Sequence, residues 1–252
     1  MGNLVNRVGS PLLGFAVALV LWHAGVVALE KDTPIASAFA PLEAGRALLQ
    51  LLQGPDIWRD IGLSLRRVGY GLGAAVLIGV PLGVLVGSSR RFAAAAMPLF
   101  QLLRMVSPLS WMPLAVMTLG VGDAPVYFLL AFAAVWPILL NTATGVARLD
   151  PNWLLLARSL SATRTETVLR VVLPGITADI LTGVRLAIGI IWIVLVPAEM
   201  LGVSAGLGYF ILDARDRLAY NELMAAIVLI GVLGFALDYL ARWLHARWLH
   251  TR

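Results

Sequence analysis

RLDPNWLLLARSLSATRTETVLRVVLP, Arg148 to Pro174, is the longest stretch in the second half of this 252-residue chain that cannot lie inside a bilayer. Asp150-Pro151 opens it as a helix start, an N-cap acceptor followed by proline at the first helical position, where no N–H is needed. Trp153, Leu156, Ala157 and Leu160 then recur at i, i+3, i+4 and i+7, one face of a short helix. Asn152, Leu155, Arg158, Ser159 and Ala162 fall on the other side. Thr163 and Glu166 form a T-x-x-E capping box, so a second helix begins there, carries Val168, Leu169 and Val172, and is expected to stop at Pro174. The pattern predicts a helix–turn–helix on a membrane surface, with a mostly small and basic face turned to something soluble.

Around that stretch the chain is written for lipid. It is 60% hydrophobic and 13% charged, with mean hydropathy +0.88; a soluble domain is nearer half apolar and a quarter charged. One integral membrane domain over residues 1–252 is expected. The net charge of +5 concerns orientation rather than nucleic acid. Cysteine is absent, which excludes disulfides, thiol chemistry and cysteine metal sites. The single lysine, Lys31, follows no glycine-rich loop, so the chain has no phosphate-binding loop of the kind that hydrolyses nucleotide. His23 stands alone in an apolar run, and His245 and His250 sit in a basic tail, where interfacial solvation is expected rather than metal binding. No Ser/His/Asp set, carboxylate pair or metal-ligand spacing offers catalysis a candidate. The start, Met1-Gly2-Asn3, lacks a myristoylation pattern, and the run that follows reads as an uncleaved span.

A span needs roughly 20 apolar residues. Six candidates occur, at about 11–29, 63–87, 95–121, 124–146, 176–198 and 224–240, with an amphipathic piece at 41–53. Arg7, then Arg90 and Arg91, then Arg148, Arg158, Arg164 and Arg170, then Arg242, Arg247 and Arg252 would share one side, while the turn between spans three and four carries only Asp123. The positive-inside rule places both termini and the Arg148–Pro174 stretch in the cytoplasm. Gly69-x-x-x-Gly73, Gly79-x-x-x-Gly83 and Gly83-x-x-x-Gly87 in the second span allow close helix packing, within the chain or between two copies. Pro81, Pro98, Pro108, Pro113, Pro137 and Pro197 would kink or break helices. The cluster SPLSWMPL, Ser107 to Leu114, is either a pore-lining non-helical element or a plain kink.

Ionisable groups within spans are costly and point to function by default. Arg104 and Arg185 either line the inner part of an anion pathway, or snorkel inward or pair with Asp179 and Asp238 and hold the bundle together. Glu199 and Asp238 lie near span ends, where solvation is simple. Arg104, Ser107, Ser110, Trp111, Arg185 and Glu199 are the candidate solute contacts.

These residues together resemble the permease subunits of ABC importers. Leu155, Leu156 and Ala157, then Ser161, then Val171-Val172-Leu173-Pro174 are similar to that family's cytoplasmic loop, E-A-A-x-x-x-G followed by Ile/Val-x-Leu-Pro; Leu155 and Ser161 replace its glutamate and glycine. SLRRVGYGLGAAVLIGVPLGVLVGSSRR, LLRMVSPLSWMPLAVMTLGVG, WPILLNT, LTGVRLAIGIIWIVLVPAEM and GLGYFILDAR look like the nitrate/sulfonate/taurine branch. The resemblance implies an all-α membrane protein of the six-helix type I importer permease fold in a bacterial inner (plasma) membrane. It implies a homodimer of permeases, ATP-binding subunits on the cytoplasmic side that hold ATP and Mg, and an extracytoplasmic substrate-binding protein. The chain itself would be no enzyme and hold no cofactor. It would move a small, mostly anionic solute of the nitrate, sulfonate, taurine or bicarbonate class by alternating access. Residues 148–174 would be the coupling segment, with Leu155, Ala157, Arg158, Ser161, Ala162 and Arg164 against the ATPase. A glycine at the Ser161 position would permit a positive φ or a close approach. The reading that competes is a stand-alone secondary transporter or channel, which would want an inverted repeat and converging mid-membrane charges.

Overall fold

The computed structural model describes residues 2–31 and 33–250, and the side chains of residues 2–12, 34, 244, 245 and 248–250 lie outside that description. The expectations placed on Arg7, His245, His250, Arg252 and the Met1-Gly2-Asn3 start therefore lie outside the described residues. No strand occurs among the described residues. The helices are α1 (Gly2–Glu30), α2 (Pro41–Gln53), α3 (Pro55–Ser88), α4 (Arg90–Met105), α5 (Met112–Leu119), α6 (Asp123–Arg148), α7 (Pro151–Ser159), α8 (Arg164–Thr167), α9 (Leu173–Gly175), α10 (Thr177–Gly202), α11 (Leu207–Asp216) and α12 (Tyr220–His250). A π-helical turn, Val168–Val172, joins α8 to α9, and 3-10 turns occupy Pro34–Phe39 and Pro108–Trp111.

Segments of α1, α3, α6, α10 and α12 are long and apolar enough to cross a membrane. The expected third span is not one helix. It is α4 followed by the Pro108–Leu119 segment, bent by 88°. The cause is local. Ser107 precedes a proline and is pushed out of the helical region, with ψ 130. Pro108 then opens the 3-10 turn, and Gly120, at φ 80, ends α5. Pro81, Pro98, Pro137 and Pro197, by contrast, lie inside helices that run through them. In the fourth span one carbonyl of that helix is capped from the side, Asn141 Nδ2 donating to Pro137 O at 2.8 Å.

The chain forms two compact units, Met1–Arg59 with Phe210–Val232 and Asp60–Tyr209 with Leu233–Arg252. In the first, α2 buries Ala44 and Ala47. Trp58 Nε1 donates to Leu52 O at 3.0 Å, the Phe39 and Tyr220 rings meet edge-on at 5.4 Å, and Arg217 bridges Asp213 and Glu222.

The second unit is built on α6 and α10, which pack along their length. Leu129, Leu130, Ile138, Ile191 and Leu195 are wholly enclosed there. α3 packs against an adjoining face of α6. Gly79, Gly83 and Gly87 meet Ile138, Thr142 and Val146 in register, and a Cβ on Gly83 would stand 2.6 Å from that of Thr142. These glycines therefore serve packing within the chain. Gly69 and Gly73 face open space instead.

Candidate functional site

The Arg148–Pro174 stretch folds as a capped knuckle. Asp150 accepts the Asn152 N–H at 2.9 Å and starts α7. Trp153, Leu156, Ala157 and Leu160, the predicted face, line a cavity of about 580 Å³ together with Arg148 and Arg170. Leu155, Arg158 and Ser159 are exposed, Leu155 at 57%, and so are Trp153, Leu156 and Leu160; of α7 only Ala157 is buried. Of the residues expected against a partner, Leu155, Arg158, Ser161 and Arg164 are exposed and Ala162 is half-buried. Ala157 is a correction: at 5% exposure it is packing inside the knuckle.

The turn out of α7 explains the serine. Ala162 N–H donates to Ala157 O at 3.0 Å and Ser161 N–H to Arg158 O at 2.9 Å. Those two bonds form a Schellman motif, which demands a left-handed residue between them. Ser161 supplies it at φ 54. Glycine would do so without steric penalty, so the serine costs about 1 kcal/mol. Both capping-box bonds then form: Glu166 N–H donates to the Thr163 hydroxyl at 3.3 Å, and Glu166 Oε2 accepts the Thr163 N–H at 2.9 Å and hydroxyl at 2.8 Å. These bonds, the backbone one foremost, hold the Glu166 carboxyl below the usual carboxylate range.

Pro174 does not stop the second helix as expected. The chain widens ahead of it into the π turn, with Leu173 N–H reaching Val168 O, and helical structure continues to Gly175. The wider turn accommodates a proline ring that would strike the carbonyl four residues back in an ordinary α-helix.

At the bend of the third span, Arg104 lies in the last turn of α4, Ser107 is the break, Ser110 is exposed, and the Trp111 ring lies 5.5 Å from Phe132 of α6. Arg104 is exposed and Arg185 half-buried on α10. Of the alternatives, pairing with Asp179 or Asp238 does not occur. Neither arginine has an ion-pair partner among the described residues; Asp238 pairs with Arg242 at 2.7 Å, and Asp179 lies against Gly145.

Glu199 is the second correction. It lies near the end of a span, as expected, yet it has no exposed surface. Its Oε1 accepts from Arg67 Nη1 at 2.6 Å and Ser64 Oγ at 2.8 Å, and its Oε2 accepts the Gly208 N–H at 2.8 Å. Arg67 is 2% exposed. It also donates from Nε to Asp123 Oδ1 at 2.8 Å and from Nη1 to Ala205 O at 2.7 Å. Arg66 holds the other Asp123 oxygen at 2.7 Å. Asp60 accepts the Gly206 N–H, and Ser64 Oγ the Leu207 N–H, at 2.8 and 2.9 Å. Gly206 stands at φ 116, and a Cβ there would collide with Arg67 and Glu199. The cluster thus pins the loop between α10 and α11 to α3 and to the start of α6. A cavity of about 580 Å³ lined by Arg67, Asp123 and Ser204 adjoins it. Both arginines are paired with carboxylates and Asp60 holds a backbone N–H, so the arrangement positions backbone rather than attracting a free anion. Sequence reading does not single out Asp60, Ser64 or Arg67 as site residues. The available signal was spacing: Asp60, Ser64 and Arg67 are i, i+4 and i+7, one face of one helix.

No group of three His, Asp or Glu side chains able to hold a metal occurs among the described residues. With the geometry in hand, likeness to known proteins is specific. Residues 79–250 match the family described as "Binding-protein-dependent transport system inner membrane component". The chain is 39% identical over 194 residues to the bicarbonate transport system permease protein of Synechococcus elongatus, covering 76% of this chain and 69% of that one. It is 32% identical over 238 residues to the nitrate import permease protein of a Synechocystis species, covering 92% and 86%. The fold matches a chain of the inward-facing MetNI methionine ABC transporter with TM-score 0.63 at 15% identity, covering 78% of this chain and 95% of that one. The helices, the knuckle and these likenesses agree: the chain belongs to the binding-protein-dependent inner membrane permeases of ABC importers, in their nitrate/sulfonate/taurine branch.

Proposed function

We propose that this permease subunit, a multi-pass protein of the bacterial inner membrane, passes a small anion of the bicarbonate, nitrate or sulfonate class. Separate ATP-hydrolysing subunits, which hold the ATP and Mg, dock on the outer face of the Arg148–Pro174 knuckle and drive alternating access. A binding protein delivers solute on the opposite side, two permease copies pair, and both compact units act as one permease domain. Family membership sets aside the stand-alone secondary transporter or channel.

The observation that carries the docking is the exposed apolar surface of the knuckle. Trp153, Leu155, Leu156 and Leu160 are each more than half exposed, around a buried Ala157 and beside Arg158 and Arg164. A leucine that exposed on a short, well-formed helix is explained by a protein surface that covers it. Ser161 and Ala162 complete that face, and Ala157 supports it from within. The anion reading rests on the relatives and on the unpaired Arg104 and Arg185, which with Ser107, Ser110 and Trp111 form the proposed passage; Glu199 holds its outer loop.

The test is ATP-driven uptake in liposomes by the complete importer. Leu155→Asp should abolish uptake and ATPase association while the permease still inserts; uptake with full association would refute the docking. Arg104→Ala should slow anion uptake without loss of thermal stability, and a variant that loses stability alone would make Arg104 a packing residue.

A further inference from the structure

Three side-chain polar atoms among the described residues are enclosed without a hydrogen-bond partner: Trp111 Nε1, Trp136 Nε1 and Thr142 Oγ1. The threonine is easily accounted for, because a small χ1 rotation lets a helical hydroxyl reach the carbonyl one turn back. An indole N–H has no such freedom; its direction is set by the ring. Both rings are locked. Trp136 is 8% exposed, stands edge-on to Phe132 at 5.4 Å and lies 5.9 Å from Phe100. Trp111 meets the other side of the same cluster, 5.5 Å from Phe132. Phenylalanine could fill much of either space, and it would carry no buried donor deprived of water. The apolar part of each tryptophan explains its packing, but nothing in this conformation uses its nitrogen.

The surroundings say what acceptor would suit. Residues 90–122 and 124–149, which supply both tryptophans, contain no aspartate or glutamate. The segment bearing Trp111 also carries the exposed Ser107 and Ser110 hydroxyls and the unpaired Arg104. That set is rich in donors and free of carboxylates, so it suits a ligand with several acceptor oxygens and a negative charge. We propose that the indole N–H groups of Trp111 and Trp136 donate to the oxygens of the transported oxyanion. Both nitrogens are sealed here, so the contact belongs to another stage of the cycle, in which the α4–α5 bend swings away from α6. Neutral donors suit a passage: they hold an anion more weakly than arginine does, and so release it. The inference rests on the anion reading above and adds Trp136 to the passage.

The test uses the complete importer in liposomes, with nitrate, bicarbonate and taurine as probes. Trp111→Phe and Trp136→Phe remove the N–H and keep an aromatic ring. Each should lower uptake of the anion that the parent moves by about tenfold, the loss of one hydrogen bond to a charged acceptor. Thermal stability should stay level or rise, since an unsatisfied buried donor is gone. Unchanged uptake would overturn the proposal. Parallel loss of uptake and stability would also overturn it, by assigning the ring's packing rather than its nitrogen. If the parent moves neither nitrate nor bicarbonate, the anion reading itself fails, and this inference with it; taurine, a zwitterion, tests whether a sulfonate oxygen alone suffices.

Discussion

Glu199→Ala is the most informative single change. It strips Arg67 Nη1 of its 2.6 Å partner and leaves the Gly208 N–H and the Ser64 hydroxyl with no acceptor at that site. Arg67 keeps Asp123, but the Asp123 side chain is 30% exposed and lies at the edge of the cluster. Removing one partner of a buried ion pair costs about 3–5 kcal/mol. Each stranded donor adds about 1 kcal/mol or more, less whatever water admitted from the adjoining cavity restores. The net expectation is about 5 kcal/mol, which for a chain of this size lowers the thermal midpoint by about 10–20 °C. The assay is a thermal scan of the purified permease at fixed detergent, read by tryptophan fluorescence. Glu199→Gln, which keeps shape and one acceptor, should lose about half as much. The double variant Arg67→Met/Glu199→Leu should lie closer to the parent than Glu199→Ala, because no unpaired charge remains buried. A Glu199→Ala midpoint within about 2 °C of the parent would refute the view that this cluster holds the loop.

Two further outcomes concern backbone geometry. Ser161→Gly should stabilise the α7–α8 turn by about 1 kcal/mol, and Ser161→Val should do the reverse; amide exchange of residues 157–167 reads both. Gly83→Ala should cost about 1–3 kcal/mol by pushing α3 off Thr142, while Gly73→Ala, facing open space, should be neutral or slightly stabilising in the same thermal scan.

What was legible in the sequence was whatever short-range chemistry decides. The Asp150 cap and the Thr163–Glu166 box follow from neighbours within a few residues. The break at Ser107-Pro108 followed from the proline cluster, whereas at Pro81, Pro98, Pro137 and Pro197 the helices run on without a break. Pro174 misled for a related reason, since a π turn is a third outcome besides continuing and stopping. Ser161 was flagged as a glycine substitute, and its φ bears out the conformational reason. The polar face of Asp60, Ser64 and Arg67 was there to be read, but its pairing with Glu199 was hidden because it is long-range: Ser64 and Glu199 are 135 residues apart, and nothing at either position announces the other. A glutamate near a span end looks solvated until the loop that folds over it is seen.

α6 has one more consequence. It runs for 26 residues, about 39 Å, from Asp123 to Arg148 without interruption. One end runs straight into the knuckle, and the other is gripped by Arg66 and Arg67. The glycine contacts with α3 brace it along the way. Such a rod is a lever. If it tilts by about 10° about its middle, each end travels about 3 Å, more than an ion pair of hydrogen-bond length can follow. A push at one membrane surface would thus be spent at the other, where the Asp123–Arg67 contact is the first bond that must give.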